Sequence, residues 1–216
     1  MTPRPRALIF DWDNTLVDSW PTIHEALNKT LAAMGHAPWS LEESKERVRL
    51  SLRDSFPLLF KDRWQEARRI YLDAFLAVHI ERLTVLPGVE TLLDRLKAEG
   101  LYLAVVSNKT GPILRRESEK LGWDHYFGRL VGATDAPADK PDPAPVHLAL
   151  DGSGIAAGPE VWFIGDTAVD MQCALGAGCV PVLLGPSDPA SAEFAAFKPN
   201  LAFHDCEGLF LHLRTL

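Results

Sequence analysis

No run of apolar residues in this 216-residue chain approaches the roughly 18 that a membrane-spanning helix needs. The opening stretch MTPRPRALIF carries basic residues, but its apolar run is too short for a signal peptide and no cleavage pattern follows. No membrane association is expected. Cysteine is scarce: Cys173, Cys179 and Cys206 are odd in number and lack zinc-type spacing, which points to a reduced, cytoplasmic setting. Positive charge is in deficit, with a formal net charge of -7. That argues against broad nucleic-acid binding and offers no long-range steering for an anionic substrate, so any anion site must be local. Internal repeats and low-complexity tracts are absent. What is present is a balance of 47% hydrophobic and 24% charged residues, as in a soluble globular protein. The length suits one large domain, or a core with a small accessory domain.

Short apolar runs rich in strand formers alternate with helical patterns. ALIF, LYLAVVS, RLVGA, VWFIG and VPVLL are apolar almost throughout, as strands covered on both faces are. Between them, LPGVETLLDRLKAEG places Pro87 near a helix start and Gly100 just past its end, and TGPILRRESEKLG closes the same way at Gly122. The alternation predicts an α/β fold with a doubly wound parallel sheet.

One interval breaks the rhythm. About 90 residues separate the first strand from LYLAVVS, far more than one crossover needs. PTIHEALNKTLAAMG carries a helical stripe through Ile23, Ala26, Leu27, Thr30, Leu31 and Met34, stopped by Gly35. SLEE at Ser40–Glu43 reads as a capping box, and DRWQEARRIYLDAFLAVHIERL as one long amphipathic helix. The expected organisation is an α/β core of residues 1–19 and 86–216 with a small helical cap at 20–85, which leaves the core at the end of strand one. Ligands of such sheets bind beyond the carboxyl ends of the strands, so the cap is expected over that site.

The same ends carry the chemistry. The run LIFDWDNTLVDS passes from a buried strand straight into Asp11 and Asp13, with Asp18 soon after. Carboxylates this close repel and raise each other's pKa, so a bound cation is expected to compensate. The other strand ends supply Ser107, Asn108 and Lys109 (VVSNK), Lys140 (ADKPDPAPV), and Asp166 and Asp170 (GDTAVD). Clustered carboxylates suit a hard cation such as Mg2+ that keeps waters and a phosphate oxygen; a lysine and a hydroxyl suit the remaining phosphate oxygens.

DWDNTLVDS, VVSNK, KPDP and GDTAVD, in this order, resemble the four motifs of the haloacid dehalogenase superfamily over nearly the whole chain. NTLVDSWPTIHEALNKTLAAMG resembles its phosphoglycolate phosphatase-like branch, which has a helical cap at this place. The resemblance implies a Mg2+-dependent phosphatase acting on a small phosphorylated metabolite. It implies Asp11 as the nucleophile that becomes an aspartyl phosphate, and Asp13 as the acid and then the base. Thr15 would help to position Asp13, Ser107 and the Asn108 backbone would hold phosphate, and Lys140 would neutralise charge. Asp11, the Asp13 carbonyl and Asp166 would bind the metal, with Asp170 in or next to that set. Asn14 departs from the glycine usual after the second acid, but asparagine tolerates unusual φ. Trp12 lies between the two acids, where its backbone N–H would face phosphate.

Four other readings compete. Phosphosugar mutases that resemble this chain carry a histidine twelve residues after the nucleophile; here that place is Ile23, with His24 about 100° further round a helix. Dehalogenases attack carbon and lack the second acid that Asp13 supplies. A receiver-like phospho-acceptor domain is about half as long and uncapped, and a catalytically dead binding module would not need every chemical position filled. Specificity is expected in the cap, where Arg49 and Arg53 are the candidate partners for a substrate carboxylate or second phosphate and Arg47 is a neighbour of the same kind. A monomer or homodimer is expected.

Overall fold

The apolar run Ala7–Phe10 forms β1, and the rest of the main sheet is ordered around it. The computed structural model describes residues 3–48 and 50–216. Contacts divide the chain into two units, one made of Met1–Val17 with Val85–Leu216 and the other of Asp18–Thr84. After β1 a two-residue strand, β2 (Val17–Asp18), leads into the helices α1 (Trp20–Ala33), α2 (Leu41–Arg47), α3 (Leu52–Phe60) and α4 (Trp64–Leu76). The chain returns through β3 (Thr84–Val85), which forms a separate two-stranded ribbon with β2. There follow α5 (Val89–Ala98), β4 (Tyr102–Thr110), α6 (Gly111–Leu121), β5 (Arg129–Ala133), α7 (Ala144–Leu150) and β6 (Val161–Gly165). The last elements are α8 (Ala168–Gly176), β7 (Val180–Leu184), β8 (Leu201–Phe203) and α9 (Cys206–Leu213).

The six-stranded sheet has the order β5-β4-β1-β6-β7-β8, and β1 pairs in parallel with both β4 and β6. The outer pairs β4–β5, β6–β7 and β7–β8 are parallel too. This is the doubly wound α/β arrangement expected from the sequence. Strand order reverses at β1, so the crevice beyond its carboxyl end is the switch point where such sheets bind ligands. All four β1 side chains are fully buried. On one face Ala7 and Ile9 join Ala104, Val106, Val161 and Phe163 beneath Val146 and Ala149 of α7 and Cys173 and Ala174 of α8. Full burial of an aliphatic or aromatic side chain is worth about 1.5–3 kcal/mol, so a rigid strand end is fixed at the point where the acids begin.

RLVGA, VWFIG and VPVLL coincide with β5, β6 and β7. LYLAVVS is extended: β4 runs on to Thr110, and its register against β5 shifts between Val106 and Thr110. Gly100 and Gly122 both take positive φ after their helices, which removes the steric cost another residue would meet there.

In the helical unit, α1 buries Ile23, Ala26, Leu27, Thr30 and Leu31. Ser40 and Glu43 close the capping box at the start of α2. The long helix read from DRWQEARRIYLDAFLAVHIERL is shorter: α4 spans Trp64–Leu76 after a 3-10 turn at Lys61–Arg63. Its buried stripe, Ala67, Tyr71 and Phe75, ends at its last turn. The aromatic rings of Phe60, Phe56, Tyr71 and Phe75 pack in succession, 5.1–5.9 Å between centroids. No helix among the described residues is long and apolar enough to cross a membrane.

Candidate active site

Asp11 follows β1 directly. Its N–H donates to the Ile164 carbonyl of β6 at 2.8 Å, so the sheet ladder still holds the backbone where the carboxylate begins. The next residues turn back sharply. Leu16 N–H donates to the Trp12 carbonyl (2.9 Å) and Asn14 N–H to the Val17 carbonyl (2.6 Å). The turn needs Asn14 at φ +64°, in the left-handed region that asparagine enters more readily than most residues. The departure from glycine is thereby absorbed.

Lys140 reaches the first acid from the loop after β5. Its Nζ is 2.7 Å from both Asp11 Oδ1 and Asp170 Oδ1, and only 3% of its side chain is exposed. Burial alone would lower the ammonium pKa, but Asp11 and Asp170 together hold it above its usual range. Asn108 Nδ2 donates to the Lys140 carbonyl at 3.1 Å, so the end of β4 fastens the loop that delivers the lysine. Asp170 has a second duty: its Oδ2 accepts from Thr167 N–H (3.0 Å) and Thr167 Oγ1 (2.7 Å), closing the capping box of α8. The fit is tight, since a Cβ on Gly165 would come within 2.3 Å of the Asp170 carboxyl carbon. Thr15 Oγ1 donates to Asp166 Oδ1 at 3.2 Å.

The carboxylates of Asp11, Asp166 and Asp170 bring oxygens within 4.8 Å of one another. The ammonium of Lys140 bonds two of these three acids. Burial pushes the Asp11 carboxyl up to about 7, with Lys140 pulling it back and Asp170 and Asp13 adding to the rise. Burial, then Asp170 and Asp11, likewise hold Asp166 well above the carboxylate range. A group of oxygen donors with surplus negative charge fits a hard divalent cation, which would relieve this repulsion.

The Asp13 carboxylate points to a different partner, Lys109, at 2.7 Å. Lys109 is buried, and its Nζ also bonds Glu117 Oε2 at 2.7 Å. The same Glu117 oxygen accepts the Trp12 indole N–H at 2.7 Å. The sequence places Lys109 only within the VVSNK motif and gives no motif around Glu117. The available signal was an acid on the buried stripe of α6, between Leu114 and Ser118. Ser107, 4% exposed, lies within β4, and its Oγ accepts the Lys109 N–H at 3.2 Å, which leaves the hydroxyl hydrogen for an acceptor such as phosphate.

Other expected positions fall elsewhere. Asp18 Oδ1 accepts the Trp20 N–H at 3.2 Å, at the start of α1. His24 uses both ring nitrogens inside the helical unit, facing Ser44 Oγ (2.9 Å) and Asn28 Nδ2 (3.3 Å). Arg47 lies 4.6 Å over the Trp39 ring and pairs with Glu43. Arg53 is half-buried in the first turn of α3. Arg49 lies outside the described residues.

Known proteins are similar to this chain over most of its length. Residues 8–183 match the family model described as haloacid dehalogenase-like hydrolase. A phosphoglycolate phosphatase of Rhodobacter capsulatus is 30% identical over 94% of each chain. One of Rhodospirillum rubrum is 35% identical over 83% of this chain and 79% of its own. A Had-superfamily hydrolase structure from Ehrlichia chaffeensis is 30% identical with a TM-score of 0.69, covering 100% of this chain and 99% of that one. A haloacid dehalogenase-like hydrolase structure from Streptococcus pneumoniae, 24% identical, shares the fold with a TM-score of 0.84 over 97% and 98% of the two chains.

Proposed function

The chain belongs to the haloacid dehalogenase-like hydrolase family, and from that premise we propose a Mg2+-dependent phosphatase that hydrolyses a small phosphomonoester through an aspartyl phosphate on Asp11. The observation that carries the reading is the convergence of Asp11, Asp166, Asp170 and Lys140 beyond the switch point of the sheet, with the Asp13 carboxylate held apart from them by Lys109. Asp11, Asp166 and the Asp13 carbonyl would hold the metal, with Asp170 beside them. When bound, Mg2+ supplies charge neutralisation at the phosphate.

The chain's own groups do the rest. Asp11 attacks phosphorus, and Asp13 gives its proton to the leaving oxygen as the ester bond breaks. Asp13 then takes a proton from the water that attacks phosphorus and frees Asp11. Lys140 neutralises Asp11 and the phosphate, while Ser107 and the Asn108 N–H donate to phosphate oxygens. The catalysis is mostly positioning and electrostatics, as phosphoryl transfer demands. A panel of phosphomonoesters assayed with Mg2+ and after chelation and dialysis tests the reading. Hydrolysis only with metal is expected; full activity in the metal-free protein would contradict it.

The acid cluster predicts how stability responds to metal and pH. The folded-state pKa of Asp11, about 7, lies above the usual carboxylate value of about 3.9. Its contribution to metal-free stability is therefore complete below about pH 4 and is lost as pH rises through about 7. Bound Mg2+ needs the ionised acids and stabilises the fold by mass action. The Mg2+-induced rise in Tm is expected to be larger at about pH 8 than at about pH 5. Differential scanning fluorimetry measures it, and a pH-independent shift would remove the cluster from the metal site.

The phosphatases similar to this chain are named for phosphoglycolate, which supports a carboxylated phosphomonoester as substrate. Arg49 and Arg53 are proposed to recognise that carboxylate, whose binding energy helps to position the phosphate. Arg53→Ala is expected to lower kcat/KM about tenfold on phosphoglycolate and less than about twofold on p-nitrophenyl phosphate. Equal losses on the two esters would make Arg53 a packing residue.

A further inference from the structure

The phosphatase chemistry leaves one buried charged group unexplained. Lys109 and Glu117 have side chains only 5% and 1% exposed. A buried ion pair often adds nothing to stability over apolar residues of the same volume. If packing were the only need, leucine or methionine would fill the space between β4 and α6.

The partners show what the pair is arranged around. Lys109 Nζ lies 2.7 Å from Asp13 Oδ1 and 2.7 Å from Glu117 Oε2. The same Glu117 oxygen accepts the indole N–H of Trp12, the residue between the two acids of the site. Trp12 is itself fixed, fully buried and edge-on to Trp123 and Phe127 at 5.6 and 6.5 Å. One rigid assembly therefore grips the turn twice, at the ring of Trp12 and at the carboxylate of Asp13. Lys140 instead holds Asp11 and Asp170. Each acid of the first motif has its own lysine, and only one of these lysines neutralises the nucleophile.

We propose that Lys109, braced by Glu117, is a positioning residue for Asp13. It holds Oδ1 so that the other carboxylate oxygen exchanges the proton with the ester oxygen and then with water. No proton is transferred to or from Lys109, which stays an ammonium throughout. The proposal rests on the phosphatase reading given above and deepens it. It separates two functions within the site: Lys140 serves the nucleophile and the phosphate, Lys109 serves the proton donor.

The leaving group discriminates this role from a structural one. An alkoxide such as that of phosphoglycolate needs a proton as it leaves; 2,4-dinitrophenolate does not. kcat/KM covers the steps up to ester cleavage, so it isolates that proton. The Mg2+-loaded wild type and Lys109→Met are assayed on phosphoglycolate and on 2,4-dinitrophenyl phosphate, with Tm recorded for each protein. Lys109→Met strands Glu117 as a buried charge, so the double variant Lys109→Met, Glu117→Gln is assayed beside it; it leaves no buried charge at position 117 and keeps an acceptor for Trp12. General acids contribute about 100- to 10,000-fold, so misplacing one is expected to lower kcat/KM on phosphoglycolate about 10- to 100-fold, and on the dinitrophenyl ester less than about threefold. Equal losses on the two esters, or no loss on either, overturn the positioning role while wild-type turnover keeps the phosphatase reading intact. A wild type inactive on both esters overturns the phosphatase reading and the proposal with it.

Discussion

Asp11→Asn is expected to abolish phosphoester turnover, lowering kcat by at least about 1,000-fold, as loss of a nucleophile does. An amide is nearly the size of a carboxylate but is too poor a nucleophile to attack phosphorus. The fold should survive. Asp11 is 6% exposed and belongs to a crowd of acids that burial and mutual repulsion destabilise. Removing one charge lessens that repulsion, so the metal-free variant is expected to melt at or above the wild-type temperature. Activity must fall without a fall in Tm. Lost activity with an unchanged or raised Tm marks a chemical role, whereas lost activity with a collapsed Tm marks a structural one. Near wild-type kcat would exclude Asp11 as the nucleophile.

Lys140→Ala carries the second large effect. The ammonium touches Asp11 and Asp170 at 2.7 Å in a site that holds water away from it. Losing one preorganised charge in such a place costs about 2–4 kcal/mol of transition-state stabilisation, or roughly 30- to 1,000-fold in kcat/KM at 1.36 kcal/mol per decade. Stability falls as well, because removing one member of a buried ion pair strands its partners, at about 3–5 kcal/mol for a single pair. Bound metal should recover part of this by neutralising the same acids, so the Tm deficit of Lys140→Ala is expected to shrink when Mg2+ is added. A change in kcat/KM below about threefold would place Lys140 outside the chemistry.

The sheet is legible because its strands are short apolar runs between helical patterns; four of them coincide with their sequence readings. No apolar run marks β8, because Leu201–Phe203 is three residues long and none of them is fully buried. The pattern of α3 is masked by Pro57 within it. The helical pattern outruns α4 because apolar residues recur beyond Leu76, although the chain there only turns, with the N–H of His79 bonded to Phe75 and that of Arg82 to Val78. The reactive residues were legible for a topological reason: in a parallel sheet every strand ends at the same edge, so polar residues after separate strands meet. Asp11, Lys140, Asp166 and Asp170 are brought together in this way.

The bracing of Asp13 could not be read in the same manner. Lys109 reaches it only because β4 continues past Ser107 with a register shift, and Glu117 only because one face of α6 packs there. Neither depends on local pattern. The left-handed Asn14 lies between these cases, since its tolerance was legible while the need for it comes from the turn hydrogen bonds.

The central claim is that phosphate passes through Asp11, and trapping that adduct tests it most directly. The Mg2+-loaded protein is mixed with phosphoglycolate, quenched during turnover and reduced with borohydride, which converts an acyl phosphate into an alcohol. Mass spectrometry of the peptide containing Leu8–Ser19 should then show homoserine at position 11 and unmodified aspartate at 13, with no conversion in the Asp11→Asn variant. Reduction at another acid, or rapid turnover with no reducible adduct, would contradict the account.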